Sequence, residues 1–527
     1  MVVLKNSSRS RRSKKAAAVP ASSGAIFDVL ALGVALAVLA AAALRWCASA
    51  GYILYFGDGV SHLNTARRIV DSRTPGIDQF GSPWLPLPHL LMIPFVSNDA
   101  WWKNGLAGGI PAAICLVIAG LFLYGSARIA FGSRTAGFTA AALFAFNPNV
   151  LYMSTIPMTE SALFASVTGV LFCTLWFGRT QSWMALVCAG LFSNAASLSR
   201  YEGWFLIPFA ALYVLLMGGE KRWWATIVFS AIASIGPLGW FFYNWYLSGN
   251  ALEFYNGPYS ALAIYQRSLK AGMARYAGDH DWAKAILYYV TAGRLCAGWG
   301  LVGVGVAGLL AAFVKRAFWP VLLLVLPCVF YVMGMYSSGN PIFVPELWPN
   351  SYYNTRYGLA VVPLLAIGGA AIVSLLPAGW RGIGAAVLVV VAVAPWLVYP
   401  RADNWITWKE SEVNSVSRRA WTAQAAEFLR ANYRSGDGIF TSLGDLSGIY
   451  EEAGIPLREV LHDGNNPAWL GAATRPNLML HEEWAVGLAG DSVVTAIQQG
   501  NRKHERYHLV RWISVPGAPV VEIYRRQ

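Results

Sequence analysis

Runs of about 20 apolar residues recur from Ala25 to Tyr399, each separated from the next by a short polar or basic connection. That length crosses roughly 30 Å of hydrocarbon. In lipid the backbone must satisfy its own hydrogen bonds, which an isolated run does only as a helix. No soluble core could absorb so much apolar sequence: 56% of the 527 residues are hydrophobic, 13% are charged, and the mean hydropathy is +0.45. The chain therefore reads as an α-helical polytopic membrane protein with about eleven transmembrane helices. They fall at 26–46, 106–125, 136–150, 160–178, 183–198, 203–217, 224–247, 297–314, 318–336, 357–376 and 382–399.

Lysine and arginine in short connections set the orientation, because such connections stay in the cytoplasm. The first residues carry Lys5, Arg9, Arg11, Arg12, Lys14 and Lys15. Every second connection is short and basic, with Arg128 and Arg134, Arg179, Lys221 and Arg222, Lys315 and Arg316, and Arg381. The expected location is the cell inner (plasma) membrane, with the N-terminus cytoplasmic. Residues 47–105, 151–159, 199–202, 248–296, 337–356 and everything after Pro400 are then extracytoplasmic. The net charge of +13 sits largely in the tail and cytoplasmic connections, where topology and anionic headgroups account for it, so nucleic acid is not an expected partner. A cleaved signal peptide ending at Ala48-Ser49-Ala50 is the alternative for the first run, and it leaves Tyr52 onward outside as well.

Three parts follow: a basic cytoplasmic tail (1–24), a transmembrane module (25–400) whose external loop 47–105 carries the candidate site, and a soluble extracytoplasmic domain (401–527). The last reads as small α/β. An amphipathic helix is expected over Val416–Tyr433, strands over Gly438–Ser442 and Leu478–His481, and a helix over Asp491–Gln499. A terminal hairpin is expected from Tyr507–Ile513 and Val520–Arg525.

Two motifs point elsewhere. Gly303, Gly305 and Gly308 spell GxGxxG, but no strand precedes them and no acid follows about 20 residues on, so close helix packing is the better reading. His504, Glu505 and His508 spell HExxH, yet His508 falls in an expected strand and a third ligand would have to be Glu522.

The first external loop holds Asp58 directly after the first span, with His62 one helical turn later on the same face. The loop runs on through Arg67 and Asp78 to Ser82-Pro83-Trp84-Leu85-Pro86-Leu87-Pro88-His89. A carboxylate at the membrane face suits a general base, and it also suits a helix cap. This order, an acid opening the loop, Ala66-Arg67 on the following helix and a proline-rich return from Pro83 to Leu91, resembles the membrane-embedded GT-C glycosyltransferases. The aminoarabinose-transferase and protein-mannosyltransferase branches are the nearest in pattern. Glu160 at the start of the fourth span and the Arg200-Tyr201-Glu202-Gly203 turn extend the resemblance; the second acid common in the family is Gly59 here.

The resemblance implies a hexosyl- or pentosyltransferase, inverting, that takes a sugar from a polyprenyl-phosphate carrier to a glycan, lipid or protein acceptor. Asp58 would be the catalytic base. His62, Asp78, Glu160, Arg200, Glu202, Tyr353 and Arg356 would bind substrate, with an arginine on the lipid phosphate. No cofactor is required and a divalent metal finds no support in the residues. A transporter or flippase for a lipid-linked glycan would line its spans with polar groups, which are scarce here. A zinc peptidase and a non-catalytic envelope scaffold are the remaining alternatives.

Overall fold

The computed structural model describes residues 23–337, 339–398, 404–502 and 506–527. The basic tail through Lys15, the boundary at Pro400, and His504 and Glu505 lie outside the described residues. In chain order α1 (Ser23–Ser49) leads to a connection carrying α2 (Gly57–Val70), α3 (Leu87–Val96) and α4 (Asp99–Lys103). Then come α5 (Leu106–Phe131), α6 (Arg134–Ala145), α7 (Pro148–Met153), α8 (Glu160–Thr180), α9 (Trp183–Ser199), α10 (Glu202–Met217) and α11 (Arg222–Ser248). A second connection holds α12 (Glu253–Asn256) and α13 (Ala261–Lys270), followed by α14 (Trp282–Val314), α15 (Phe318–Ser337), α16 (Val361–Leu375) and α17 (Arg381–Val398).

Ten of the eleven expected spans each lie on one helical stretch, and among the described residues eight helices are long and apolar enough to cross a membrane. The protein is a multi-pass membrane protein. Helices α9 and α10 are apolar but shorter. The run at 136–150 is not one helix. It breaks at Phe146, where Asn147 caps the next helix through its side chain and Pro148 opens that helix. The run at 297–314 is the second half of a longer helix, α14, interrupted at Gly298, whose φ of 77° only glycine adopts without strain. The carbonyl of Cys296 freed by that break accepts from Asn147 Nδ2 and Asn149 Nδ2, each at 3.0 Å.

Close packing of α14 against α16 answers the GxGxxG question. A Cβ on Gly308 would lie 2.0 Å from the Gly368 oxygen, and one on Gly305 would lie 2.5 Å from the Leu365 Cβ, whereas Gly303 faces open space. The motif is a helix contact.

The C-terminal part begins with α18 (Ile406–Asn432), nearly three turns longer at its start than its amphipathic pattern suggests. It continues with β1 (Ile439–Thr441), α19 (Ser447–Ala453), β2 (Val460–Leu461), α20 (Ala468–Thr474), α21 (Pro476–Met479), β3 (Trp484–Leu488), α22 (Ser492–Asn501), β4 (Tyr507–Ile513) and β5 (Val521–Arg526). The sheet order is β2-β1-β3-β5-β4. Strand β1 runs parallel to β2 and β3, while β5 is antiparallel to β3 and β4. The expected hairpin and the helix after Asp491 are present. The expected strand at Leu478–His481 is not: Pro476 presets a helical turn there, and the strand lies at Trp484–Leu488, where the side chains are buried.

This domain is clamped onto the α2–α4 connection. Asp71 Oδ1 accepts from Arg458 Nη1 at 3.1 Å, Arg73 Nη1 donates to Glu482 at 2.6 Å, and Asn64 Nδ2 donates to Glu451 at 3.0 Å. The start of α18 is pinned to α7, with the Thr407 backbone N–H donating to Asn149 at 3.0 Å and Ser411 bonding Tyr152 at 2.8 Å.

Candidate active site

Between the helix bundle, the α2 connection and the C-terminal domain lies a cavity of about 2200 Å³. Its wall includes Asp58, His62, Asp78, Arg200, Glu202, Tyr353 and Arg356, seven of the eight candidate residues; Glu160 lies behind Arg200 and Arg356.

Five chain segments bring one charged cluster together. Asn354, left-handed at φ 53°, turns the chain after α15 so that Arg356 enters the cavity. Arg356 Nη2 donates to Asp58 Oδ2 at 2.7 Å, its Nε to Glu160 Oε1 at 3.2 Å and its Nη1 to Glu410 Oε1 at 3.2 Å. Arg200, at the α9–α10 turn, donates from Nη1 to Thr159 at 2.7 Å and to Glu160 Oε1 at 3.1 Å, and from Nε to Glu202 at 2.8 Å. Both guanidiniums also stand over the Tyr357 ring, 5.2 Å from its centre.

Exposure separates the acids. Glu160, Glu202 and Glu410 are buried, at 2–3% side-chain exposure, whereas Asp58 is 49% exposed. Asp58 is thus the acid of the cluster that an incoming molecule can reach, and it stands in the first turn of α2. The N-cap position of α2 is Phe56, with Asp58 inside the helix, so the capping alternative is not realised. Glu160 occupies the matching first position of α8; its Oε2 is buried without a hydrogen-bond partner among the described residues.

Glu410 is not among the sequence candidates, because it precedes the amphipathic pattern that starts at Val416. Its carboxylate accepts from the backbone N–H groups of Asn354 and Thr355, both at 2.8 Å, and from the Thr355 hydroxyl. Burial pushes Glu410 up from the usual carboxylate range, against the pull of Arg356 and these donors. The signal was available in the helical recurrence of Thr407, Glu410 or Ser411, and Ser415, all buried.

The remaining candidates lie outside the cluster. His62 is buried, with its ring 4.3 Å from that of Trp84 and Nδ1 bonded to His89 Nε2 at 3.0 Å. Burial, with help from Arg200 and Arg356, pushes it down to about 3, so it is a neutral wall residue rather than a proton carrier. Asp78 is exposed on a short 3-10 turn, and Tyr353 is half-exposed beside Phe343. Arg67, part of the sequence pattern, is structural: it bonds Asp71 at 2.9 Å, Asp99 at 2.7 Å and the Val96 carbonyl, and stands over Trp102. His508 is in β4, not on a helix, and Glu522 bonds Tyr524, so neither takes part in a helical HExxH arrangement. Among the described residues no group of three or more His, Cys, Asp or Glu side chains is arranged to hold a metal ion.

Residues 101–245 match the model of a family described as dolichyl-phosphate-mannose-protein mannosyltransferase. No curated protein matches the chain. Among solved structures, ArnT from Cupriavidus metallidurans is similar in its apo state (15% identity, TM-score 0.51) and bound to undecaprenyl phosphate (14% identity, TM-score 0.50). Each comparison covers 91% of this chain and 97% of ArnT. An oligosaccharyltransferase from Archaeoglobus fulgidus aligns at 13% identity and TM-score 0.47, over 87% of this chain and 69% of its own. The chain thus has the fold of the GT-C membrane glycosyltransferases, and its first half contains the segment that resembles the protein mannosyltransferases.

Proposed function

We propose that the protein is an inverting glycosyltransferase that moves a sugar from a polyprenyl-phosphate carrier to an acceptor hydroxyl at the extracytoplasmic face of an inner (plasma) membrane. The observation that carries this reading is Asp58: the reachable carboxylate of the charged cluster, held by Arg356 at the wall of a large cavity that also includes Trp204, Phe205 and Phe330 of membrane helices. Those aromatics give a lipid tail an apolar approach from the side. The likeness to ArnT, whose complex holds undecaprenyl phosphate, supports the same class of donor. Arg134 bonds Asp28 at the start of α1 and Arg179 bonds the Ile129 carbonyl at the end of α5, so these basic connections share one end of the bundle, which supports a cytoplasmic assignment for that end.

In the proposed reaction Asp58 accepts the proton of the acceptor hydroxyl as its oxygen forms a bond to the anomeric carbon. The bond from that carbon to the phosphate oxygen breaks, and polyprenyl phosphate leaves with the bonding electron pair. A phosphate leaves without a general acid, so one carboxylate suffices. Asp58 then gives its proton to water. Arg356 fixes the carboxylate through Oδ2 and leaves the second oxygen to the acceptor; Glu160 and Glu410 hold Arg356, and Arg200 and Glu202 complete the wall. His62, Asp78 and Tyr353 would contact the sugar or acceptor, and the C-terminal domain covers the cavity.

The test is reconstitution with a panel of radiolabelled polyprenyl-phosphate sugars, native protein against Asp58→Asn. Sugar release or transfer by the native protein alone supports the reading and identifies the donor. Equal turnover by both removes Asp58 from the chemistry, and no turnover with any donor overturns the transferase reading.

A further inference from the structure

The cluster that organises Asp58 is a poor place for a phosphate. Every Arg200 and Arg356 bond to an acid is already made, and with all six groups ionised four carboxylates face two guanidiniums, a net charge of two negative. The phosphodiester of a polyprenyl-phosphate sugar carries one negative charge and meets net repulsion there. A phosphate calls for a cation not yet committed to a carboxylate.

Arg68 is such a cation. It stands half-buried at the wall of the same cavity, ten residues beyond Asp58 on α2. Its Nη2 donates to the Gln79 carbonyl at 3.0 Å and to Thr65 Oγ1 at 3.3 Å, while its Nε is covered and has no hydrogen-bond partner among the described residues. No described carboxylate lies within 4 Å of it; Asp463 acts on it only from farther off, and burial outweighs that pull. A covered guanidinium without a counter-ion is costly unless a ligand supplies the charge.

The distance along α2 fits one role. Asp58, His62, Thr65 and Arg68 recur at helical spacing and all line the cavity. The bond to Thr65 places the Arg68 guanidinium near the level of Thr65, about 10 Å from Asp58 at about 1.5 Å rise per residue. An in-line displacement sets base, acceptor oxygen, anomeric carbon and phosphate in a row. With about 2.7 Å for the hydrogen bond and about 3 Å between reacting atoms, that row is roughly 8–10 Å long.

We propose that Arg68, rather than Arg200 or Arg356, binds the phosphate of the polyprenyl-phosphate donor, so that the donor lies along α2 with its anomeric carbon facing Asp58. This rests on the transferase reading for the identity of the donor, but its binding test does not need turnover.

The experiment compares binding of undecaprenyl phosphate and of undecaprenol to the full-length protein in nanodiscs, for native protein, Arg68→Gln and Thr65→Asp. The glutamine keeps a donor for the Gln79 carbonyl. The Thr65 substitution leaves the guanidinium in place and gives it a carboxylate, so it reports even if the first variant fails to fold. Both are expected to weaken undecaprenyl phosphate binding about tenfold or more and leave undecaprenol unchanged. Native-like phosphate binding by both variants overturns the proposal, as does an equal loss for the alcohol. If transfer is found and Arg68→Gln raises KM for the acceptor but not for the donor, the anion belongs to the acceptor and the proposal fails while the transferase reading stands. If binding depends on Arg68 yet no donor is turned over, the subsite stands and the transferase reading falls.

Discussion

Arg356 Nη2 lies 2.7 Å from Asp58 Oδ2, a contact between residues 298 positions apart that ties the last part of the membrane bundle to the first connection after α1. The same guanidinium holds two further acids that have almost no access to solvent, Glu160 and Glu410. Arg356 is therefore the counter-ion on which three segments depend.

Replacing Arg356 by glutamine is expected to destabilise the protein by about 3–5 kcal/mol, because it leaves buried carboxylates uncompensated. Glu410→Gln keeps one acceptor oxygen for the Asn354 N–H but turns an NH2 toward the Thr355 N–H, and it leaves Arg356 with Asp58 and Glu160, so its cost is expected to be about 1–2 kcal/mol. Thermal unfolding of the detergent-purified variants measures both. Equal effects would mean that Arg356 does not organise the cluster.

Asp58→Asn is expected to behave in the opposite sense, losing activity without losing stability. Asp58 is 49% exposed and its one ion pair joins it to a residue that has other partners. Loss of a general base costs about 10²–10⁴ in kcat. Steady-state transfer measured beside a melting curve separates this from a folding defect: an unchanged kcat, or a fall in Tm as large as that for Arg356→Gln, contradicts the assignment.

The helical layout was legible because hydrophobic length is a local property, and all expected spans but that at 136–150 coincide with one helical stretch. The site was legible only in part. Asp58, Glu160, Arg200 and Arg356 stood out because each is a charged residue next to an apolar run, where charge is costly. Their mutual contacts, and that of Glu410 with Arg356, join residues 40 to 298 positions apart, which no local pattern encodes. Boundaries failed where one residue outweighed periodicity. Asn147-Pro148 cut the run at 136–150, and Pro476 turned an apolar stretch into a helix where β propensity suggested a strand.

The α14–α16 crossing gives a test that owes nothing to function. Gly308→Val would drive a side chain into the Gly368 backbone, whereas Gly303→Val meets nothing within 4 Å. The first is expected to abolish the folded, monodisperse species in size-exclusion chromatography and the second to leave it intact. Comparable profiles would mean that the two helices do not pack through these glycines.

The seam between the C-terminal domain and α2 contains a buried acid that should make its stability depend on pH. Glu451 accepts from Asn64 Nδ2 through Oε2, its Oε1 has no hydrogen-bond partner among the described residues, and burial pushes its carboxyl up from the usual 4.5 to about 8. An acid whose folded value is raised holds its proton more tightly folded than unfolded. Its contribution is fully present below about 4.5, declines as pH rises, and is lost above about 8. The domain is therefore expected to melt at lower temperature at pH 8 than at pH 5. Glu451→Gln, which stays neutral and still accepts from Asn64, should flatten that difference and stabilise the seam at pH 8. A melting profile whose pH dependence is unchanged in the glutamine variant would show that Glu451 is already ionised and solvated in the folded protein.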